Sequence, residues 1–116
     1  MRTIIIIATV LASLGLKAQQ KTVKTETFVV KGNCEECKDR IENAADIKGS
    51  KICIWNVDTK VATVTYNPNI VKLEQIQQAI ANRGYDAGNF KGNDKSYNQL
   101  PKCCQYRTGK CEESKK

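Results

Sequence analysis

The sequence has no histidine and few aromatic residues (6%), and these absences narrow its chemistry. Without histidine, a tetrahedral zinc site would need the cysteines near the C-terminus as additional ligands. The aromatics are not interleaved with the basic residues, so the net charge of +7 indicates a solvated basic surface and no nucleic-acid partner. Serine nucleophiles, paired carboxylates and phosphate-binding loops are absent at recognisable spacings, so we do not predict an enzyme.

Long hydrophobic runs are also scarce. The apolar run from Ile4 to Leu16 covers 13 residues, whereas a membrane-spanning helix takes about 20. With Arg2 before it and Ala18 after it, the run predicts a cleaved secretory signal over residues 1–18, and a membrane anchor or buried helix is the alternative. The residues around the predicted cut, "KAQQ" (17–20), resemble exported proteins of some Gram-negative bacteria, so we expect a periplasmic protein.

Six cysteines lie beyond the predicted signal. In a small exported chain they could form three disulfides, with about 15 possible pairings. Their spacing argues against a uniform framework: Cys34 and Cys37 form a CxxC pair, Cys53 stands alone, and the other three crowd residues 103–111.

The rest of the chain alternates between strand and helix signals. Strand patterns cover 22–30, 51–57 and 60–66, with a weaker one over 85–91. Helical spacing begins at Cys34 and again at Leu73, and Gly84 is placed to end the second helix. The order β-α-β-β-α-β is the split βαβ arrangement. Residues 92–116 form a polar, cysteine-rich tail, with a short helix around 95–100 and an end that we expect to be mobile.

The CxxC pair follows the first strand and enters the first helix. Residues three apart share a helix face, so both sulfurs can converge. The helix N-terminus favours the thiolate form, and thiolates suit Cu(I) and other soft ions. Glu35 and Glu36 oppose this by charge repulsion, which Lys38 and Arg40 partly counter.

Residues 22–91 resemble the heavy-metal-associated domain family. The likeness rests on strand–CxxC–helix, a hairpin, "YNP", a helix with "IQQAI", and "GYDA". It implies an α+β, ferredoxin-like βαββαβ sandwich with a four-stranded antiparallel sheet and two helices on one face. It also implies Cys34 and Cys37 as metal ligands and Tyr85 as an aromatic neighbour of the metal loop. The family commonly has Met where this chain has Gly32, and that Met packs beneath the loop.

The resemblance implies an exported soft-metal carrier, a metallochaperone or scavenger. Cu(I) is the expected ion, with Hg(II), Zn(II) or Cd(II) as alternatives. The expected partners are a metal-transporting membrane protein or another metallochaperone, and the expected state is a monomer or a metal-bridged dimer. Two other readings stay open: a thiol–disulfide oxidoreductase using the same CxxC, and an interaction module whose cysteines are all in disulfides.

The remaining cysteines have less certain roles. Cys53 alternates with Trp55 and Val57 on the inward face of its strand, so we expect a small core residue. Ile52 and Ile54 then point to the opposite sheet face, exposed as a contact surface or covered by the tail. Cys103 and Cys104 are adjacent, and their Cα separation of about 3.8 Å is too short for an unstrained disulfide. Together with Cys111 they form either an accessory metal site or a disulfide that pins the tail.

Overall fold

The protein is described by a computed structural model that covers residues 22–108. The predicted signal and Cys111 lie outside the described residues. The elements in chain order are β1 (Lys24–Val29), α1 (Glu35–Ala44), β2 (Ser50–Trp55), β3 (Val61–Tyr66), α2 (Leu73–Asn82) and α3 (Asp94–Asn98), followed by two 3-10 turns at Lys102–Cys104 and Tyr106–Thr108. Within this range, no helix has the length and apolar character to cross a membrane.

The described strands form one antiparallel sheet in the order β1-β3-β2. Phe28 and Trp55 both lie opposite Ala62, so β3 is the central strand. The hairpin between β2 and β3 turns where the sequence predicts. The Asn56 side chain accepts hydrogen bonds from the backbone N–H groups of Asp58 (2.8 Å) and Thr59 (2.9 Å).

The prediction of a fourth strand over 85–91 is wrong, because these residues do not form a strand. Ala87 makes only isolated bridges to Val30 and Phe90. Gly88, with φ +59°, turns the chain immediately, and Ala87 and Phe90 close that turn through mutual backbone hydrogen bonds of 2.9 Å. The segment therefore lies beside β1 but is too short to extend the sheet.

Both predicted helices pack on the inner face of the sheet. Helix α1 buries Cys37, Ile41 and Ala44, and α2 buries Ile76 and Ile80, which matches the predicted helical spacing. Gly84, with φ +103°, ends the second helix as predicted, in a left-handed conformation that favours glycine.

The outer face of the sheet has no covering layer in the described part of the chain. Ile52 and Ile54 are both 52% exposed. The prediction that they leave the core is confirmed, and residues 92–108 do not cover them. Cys53, between them, packs against the core as predicted.

The tail packs onto the domain as far as Thr108, and the end that the sequence predicts to be mobile lies outside the described residues. Tyr97 and Leu100 are each only 7% exposed, and Cys104 is fully buried. The backbone passes close to the end of α2, where a Cβ on Gly92 would come within 2.5 Å of the Gly84 carbonyl oxygen. Residues 92–108 have few core formers by composition, and Tyr97, Leu100 and Cys104 among them are buried.

Arg107 and Tyr106 fasten the end of the described tail, and we call these contacts the Arg107 network. The Arg107 guanidinium donates to Asp94 (2.9 Å) and to the Gly92 carbonyl (2.9 Å). The Tyr106 hydroxyl donates to the Gly84 carbonyl at 2.7 Å. Hydrogen bonding from Arg107 lowers the pKa of Asp94, so the pair is charged at neutral pH.

Candidate metal centre

The CxxC pair lies at the start of α1, as its sequence position predicts. Cys34 is the N-cap residue, with extended backbone (φ −146°), and its carbonyl accepts from the N–H groups of Cys37 (2.9 Å) and Lys38 (3.1 Å). One helical turn then brings the Cys34 and Cys37 sulfurs to 3.8 Å from each other. Cys37 is fully buried and Cys34 is half-buried, so the pair has one inner and one outer sulfur.

The basic side chains near the pair are engaged with acidic ones, in line with the expectation that they partly counter the acids. Lys38 is held by Glu42 and by the Trp55 carbonyl, and hydrogen bonding to Glu42 raises its pKa. Arg40 pairs with Glu36 at 4.0 Å. Both cations are therefore already engaged with acceptors on their own helix or on β2. The polar group that the structure places on the inner sulfur is the Asn33 backbone N–H, which donates to Cys37 at 3.3 Å.

Trp55 supports the metal loop from below. A Cβ on Gly32 would come within 3.1 Å of the Trp55 ring and 3.2 Å of the Cys37 Cβ. The indole N–H donates to the Val30 carbonyl at 3.0 Å, which fixes the ring at the base of the loop. The ring from β2 thus takes the space beneath the loop that the family's Met is expected to fill. The sequence predicted Trp55 inward, but nothing in it linked Trp55 to Gly32.

The tail brings further thiols to the same place. The sulfurs of Cys34, Cys37 and Cys104 all lie within 4.8 Å of one another. Cys103 lies above them and presents its backbone carbonyl, which accepts from the Asn33 side chain (3.2 Å) and the Cys34 thiol (3.5 Å). The Cys103 and Cys104 sulfurs are 4.0 Å apart. Of the three tail cysteines predicted as accessory ligands, Cys104 lies inside the cluster and Cys103 at its rim, while Cys111 lies outside the described residues.

All five cysteines in the described range are free thiols. Burial raises the pKa of Cys104 and of Cys103, and it raises the pKa of Cys53 to about 12. A metal ion that binds the Cys104 sulfur must therefore displace a proton that this thiol holds firmly. Cys53 is not a member of the described cluster, which agrees with its predicted place in the core.

Tyr85 closes the inner side of the cluster. The residue is fully buried, and its hydroxyl lies against the thiols of Cys104 and Cys37 without a hydrogen bond of regular geometry in the described structure. Burial, followed by the neighbouring thiols of Cys104 and Cys37, raises the pKa of Tyr85. Its ring stacks on Tyr106 with centroids 5.9 Å apart. The site thus contains a buried O–H donor beside two sulfurs.

Tyr85→Phe is expected to leave the metal-free protein as stable as the wild type, or to stabilise it by up to about 1 kcal/mol. The reason is that the lost hydroxyl is buried without a partner, so its removal also removes a desolvation cost. Urea unfolding of the reduced, metal-free protein measures this effect. A loss of more than about 2 kcal/mol would show that the hydroxyl is satisfied in solution.

The donor set suits soft metal ions. Three sulfurs and no carboxylate make up the described cluster, and thiolates select Cu(I) and other thiophilic ions over Ca²⁺ or Mg²⁺. The cluster lies at the end of the domain where the tail crosses the start of α1, and its outer sulfur remains accessible at Cys34. The arrangement can capture and release a single soft ion.

No protein-family model matches the sequence. Among curated proteins, the chain is 34% identical over 68 residues to the copper chaperone CopZ of Staphylococcus epidermidis, covering 58% of this chain and 94% of CopZ. Among solved structures, it matches the N-terminal domain of a potential copper-translocating P-type ATPase from Bacillus subtilis, solved in the Cu(I)-loaded state. That match has a TM-score of 0.54 and 26% identity, and it covers 62% of this chain and 92% of the other.

A third likeness is to oxidized MerP from Ralstonia metallidurans CH34. The TM-score is 0.54 at 24% identity, over 57% of this chain and 94% of MerP. At 24% identity this match supports a similar fold and no statement about function. The folds of these relatives are ferredoxin-like, which agrees with the predicted class, although the sheet described here has three strands.

Proposed function

Because the chain belongs to the heavy-metal-associated domain family, we propose that it is a Cu(I) carrier that binds the ion through Cys34 and Cys37. The observation that supports this most directly is the 3.8 Å separation of two sulfurs at the N-terminus of α1. Relatives named as a copper chaperone and as a domain of a potential copper-translocating ATPase make a metal-binding chaperone the best-supported class.

Cu(I) is favoured over the other candidate ions by the ligand chemistry. Cu(I) accepts two or three soft sulfurs, whereas structural Zn(II) takes four ligands in tetrahedral geometry. The described cluster offers three sulfurs within 4.8 Å of one another. Hg(II) and Cd(II) share the preference for thiolates and remain the competing cargo.

The partner that we propose is a metal-transporting membrane protein or another metallochaperone with a similar thiol pair. Cys34 is half-buried and lies at the surface end of the site, so a second thiol pair can reach the ion there. The same accessibility allows a metal-bridged dimer beside the monomer. We further propose that the protein is exported and works in the periplasm, on the strength of residues 1–18.

The proposed cargo is tested by titrating the reduced protein with Cu(I) against a chromophoric Cu(I) chelator. We expect the protein to take one equivalent from the chelator, since deprotonated thiols bind Cu(I) more strongly than Zn(II). Protein preloaded with Zn(II) or Cd(II) should exchange that ion for Cu(I). Retention of Cu(I) by the chelator, or retention of Zn(II) by the protein, would contradict the proposal.

A further inference from the structure

The metal site has three convergent thiols where the CxxC motif supplies two. The third belongs to Cys104, which lies 67 residues after Cys37 and is fully buried. Its sulfur is within 4.8 Å of both Cys34 and Cys37. At this distance, the Cys104 sulfur can bind the same metal ion as the sulfurs of Cys34 and Cys37.

The separation of the CxxC sulfurs itself fits a three-sulfur site. With a metal–sulfur bond of about 2.3 Å, two sulfurs in a linear complex stand about 4.6 Å apart and two in a trigonal complex about 4.0 Å apart. The Cys34 and Cys37 sulfurs are 3.8 Å apart, which is closer to the trigonal value. A linear site would require the pair to open, whereas a trigonal site keeps the pair as it is and requires Cys104, whose sulfur lies within 4.8 Å of both, to close on the ion.

The fold holds Cys104 in place from both sides along the chain. Before it, Tyr97 and Leu100 are buried, and the Pro101 carbonyl accepts from the Cys104 N–H at 2.8 Å. After it, the Arg107 network ties the chain to Asp94 and Gly92. Because the tail is anchored on either side of residue 104, this sulfur returns to the same position each time the protein folds.

The site also contains a donor suited to a third thiolate. Three thiolates around Cu(I) carry a net charge of −2, which is costly to bury without hydrogen bonds. The Tyr85 hydroxyl is fully buried, lacks a hydrogen-bond partner within the described structure, and lies against Cys37 and Cys104. On metal binding it can donate to one of these sulfurs, while the Asn33 N–H donates to Cys37.

We propose that Cys34, Cys37 and Cys104 bind Cu(I) as a trigonal three-thiolate site, so that the tail makes this chain a retaining carrier. The proposal rests on the proposed function. Each thiol that binds gives its proton to solvent, and the copper stays Cu(I) throughout. Partner thiols that reach the ion beside Cys34 must then displace three sulfurs, where the CxxC pair alone would present two, so the ion leaves more slowly.

Cys103 is the matched control for Cys104. It is the adjacent residue in the same 3-10 turn, it is a free thiol, and it lies outside the group of three. Its backbone carbonyl, which no side-chain substitution removes, makes the contacts with Asn33 and Cys34. Cys103→Ser therefore changes a neighbouring thiol and preserves the contacts that hold the tail over the loop.

The test is X-ray absorption at the copper edge on the reduced protein loaded with one equivalent of Cu(I). We expect three sulfur neighbours in the wild type and in Cys103→Ser, and two in Cys104→Ser and Cys104→Ala. Substitution of ligand-supporting groups alone costs about 10- to 100-fold in metal affinity, so loss of a direct ligand should weaken Cu(I) binding at least about tenfold. Transfer to a chelator should become faster by a similar factor.

Two sulfur neighbours in the wild type would overturn the three-thiolate site and leave the CxxC carrier standing. Three sulfur neighbours in Cys104→Ser, including in a metal-bridged dimer detected by sedimentation, would overturn it as well. So would a loss of Cu(I) affinity in Cys103→Ser equal to that in Cys104→Ser. Failure of the wild type to bind Cu(I) at all would instead overturn the proposed function. Circular dichroism of each variant confirms that the fold is kept.

Discussion

Replacing Cys34 and Cys37 together by alanine is expected to abolish tight Cu(I) binding while the domain stays folded. The two sulfurs at 3.8 Å supply two of the three ligands, and Cys104 alone cannot hold the ion against a chelator. Alanine is the best helix former at position 37, and Cys34 makes no side-chain cap hydrogen bond that its replacement would remove, so α1 keeps its backbone. The buried Cys37 position loses one sulfur atom, and small deletions of this kind in a core cost about 0.5–1.5 kcal/mol.

Chelator competition measures the loss of binding, and urea unfolding measures the change in stability. Cys53→Ala is the matched control, because Cys53 is a free thiol packed against the core whose pKa burial raises to about 12. That variant should take one equivalent of Cu(I) like the wild type. A double variant that still wins Cu(I) from the chelator would show that the tail cysteines form an independent site.

Trp55→Ala is expected to cause the largest loss of stability, about 3–5 kcal/mol. Trp55 is 1% exposed, is one of the largest fully buried side chains, and donates to the Val30 carbonyl. The Trp55 ring lies so close to Gly32 that a Cβ there would be 3.1 Å from it, so the substitution also removes the side chain that packs beneath the metal loop. A domain of this size is stable by about 5–15 kcal/mol, so the variant should remain folded but marginal.

Trp55→Phe separates the two contributions of the indole. Phenylalanine keeps an aromatic ring at the base of the loop, although it is too short to reach the Cζ2 and Cη2 positions that lie nearest Gly32. It also leaves the buried Val30 carbonyl without its donor, which costs about 1–3 kcal/mol. We expect Trp55→Phe to bind Cu(I) nearly as tightly as the wild type, and Trp55→Ala to bind more weakly even at temperatures where it is folded. Urea unfolding and chelator competition check both statements. If folded Trp55→Ala bound Cu(I) as tightly as the wild type, the packing of Trp55 beneath the metal loop would not contribute to Cu(I) binding.

Gly32→Met tests the same packing from the other side. A Cβ at position 32 would lie 3.1 Å from the Trp55 ring and 3.2 Å from the Cys37 Cβ, so a methionine there would require these neighbours to shift by a few tenths of an ångström. The small residue in the loop and the large residue on β2 therefore belong together. In this chain Trp55 fills the space beneath the metal loop that the family's methionine is expected to fill.

The elements that short-range patterns control were predictable from the sequence. The helical spacing of α1 and α2, the hairpin between β2 and β3, and the glycine that ends the second helix all depend on residues within a few positions of one another. The convergence of Cys34 and Cys37 belongs to this group, because one turn of helix sets it. The inward position of Cys53 follows from strand alternation in the same way.

Sequence patterns were insufficient where the outcome depended on contacts between distant parts of the chain. The segment 85–91 has strand residues, but Gly88 turns it back after a single bridge to Val30. The tail is polar in composition, yet Tyr97 and Leu100 are enough to pack it, with the Arg107 network to fasten it. Average composition does not show where the few apolar side chains fall.

By itself, the sequence determined the kind of chemistry: six cysteines, no histidine and a CxxC pair at a helix start leave a soft-metal thiol site as the favoured function. Only the tertiary structure decided how many thiols meet. Cys103 and Cys104 are equivalent in sequence, and the packing of residues 92–108 turns one sulfur into the cluster and leaves the other at the rim. The reason is physical: neighbouring side chains point in different directions, and long-range packing selects which one faces the site.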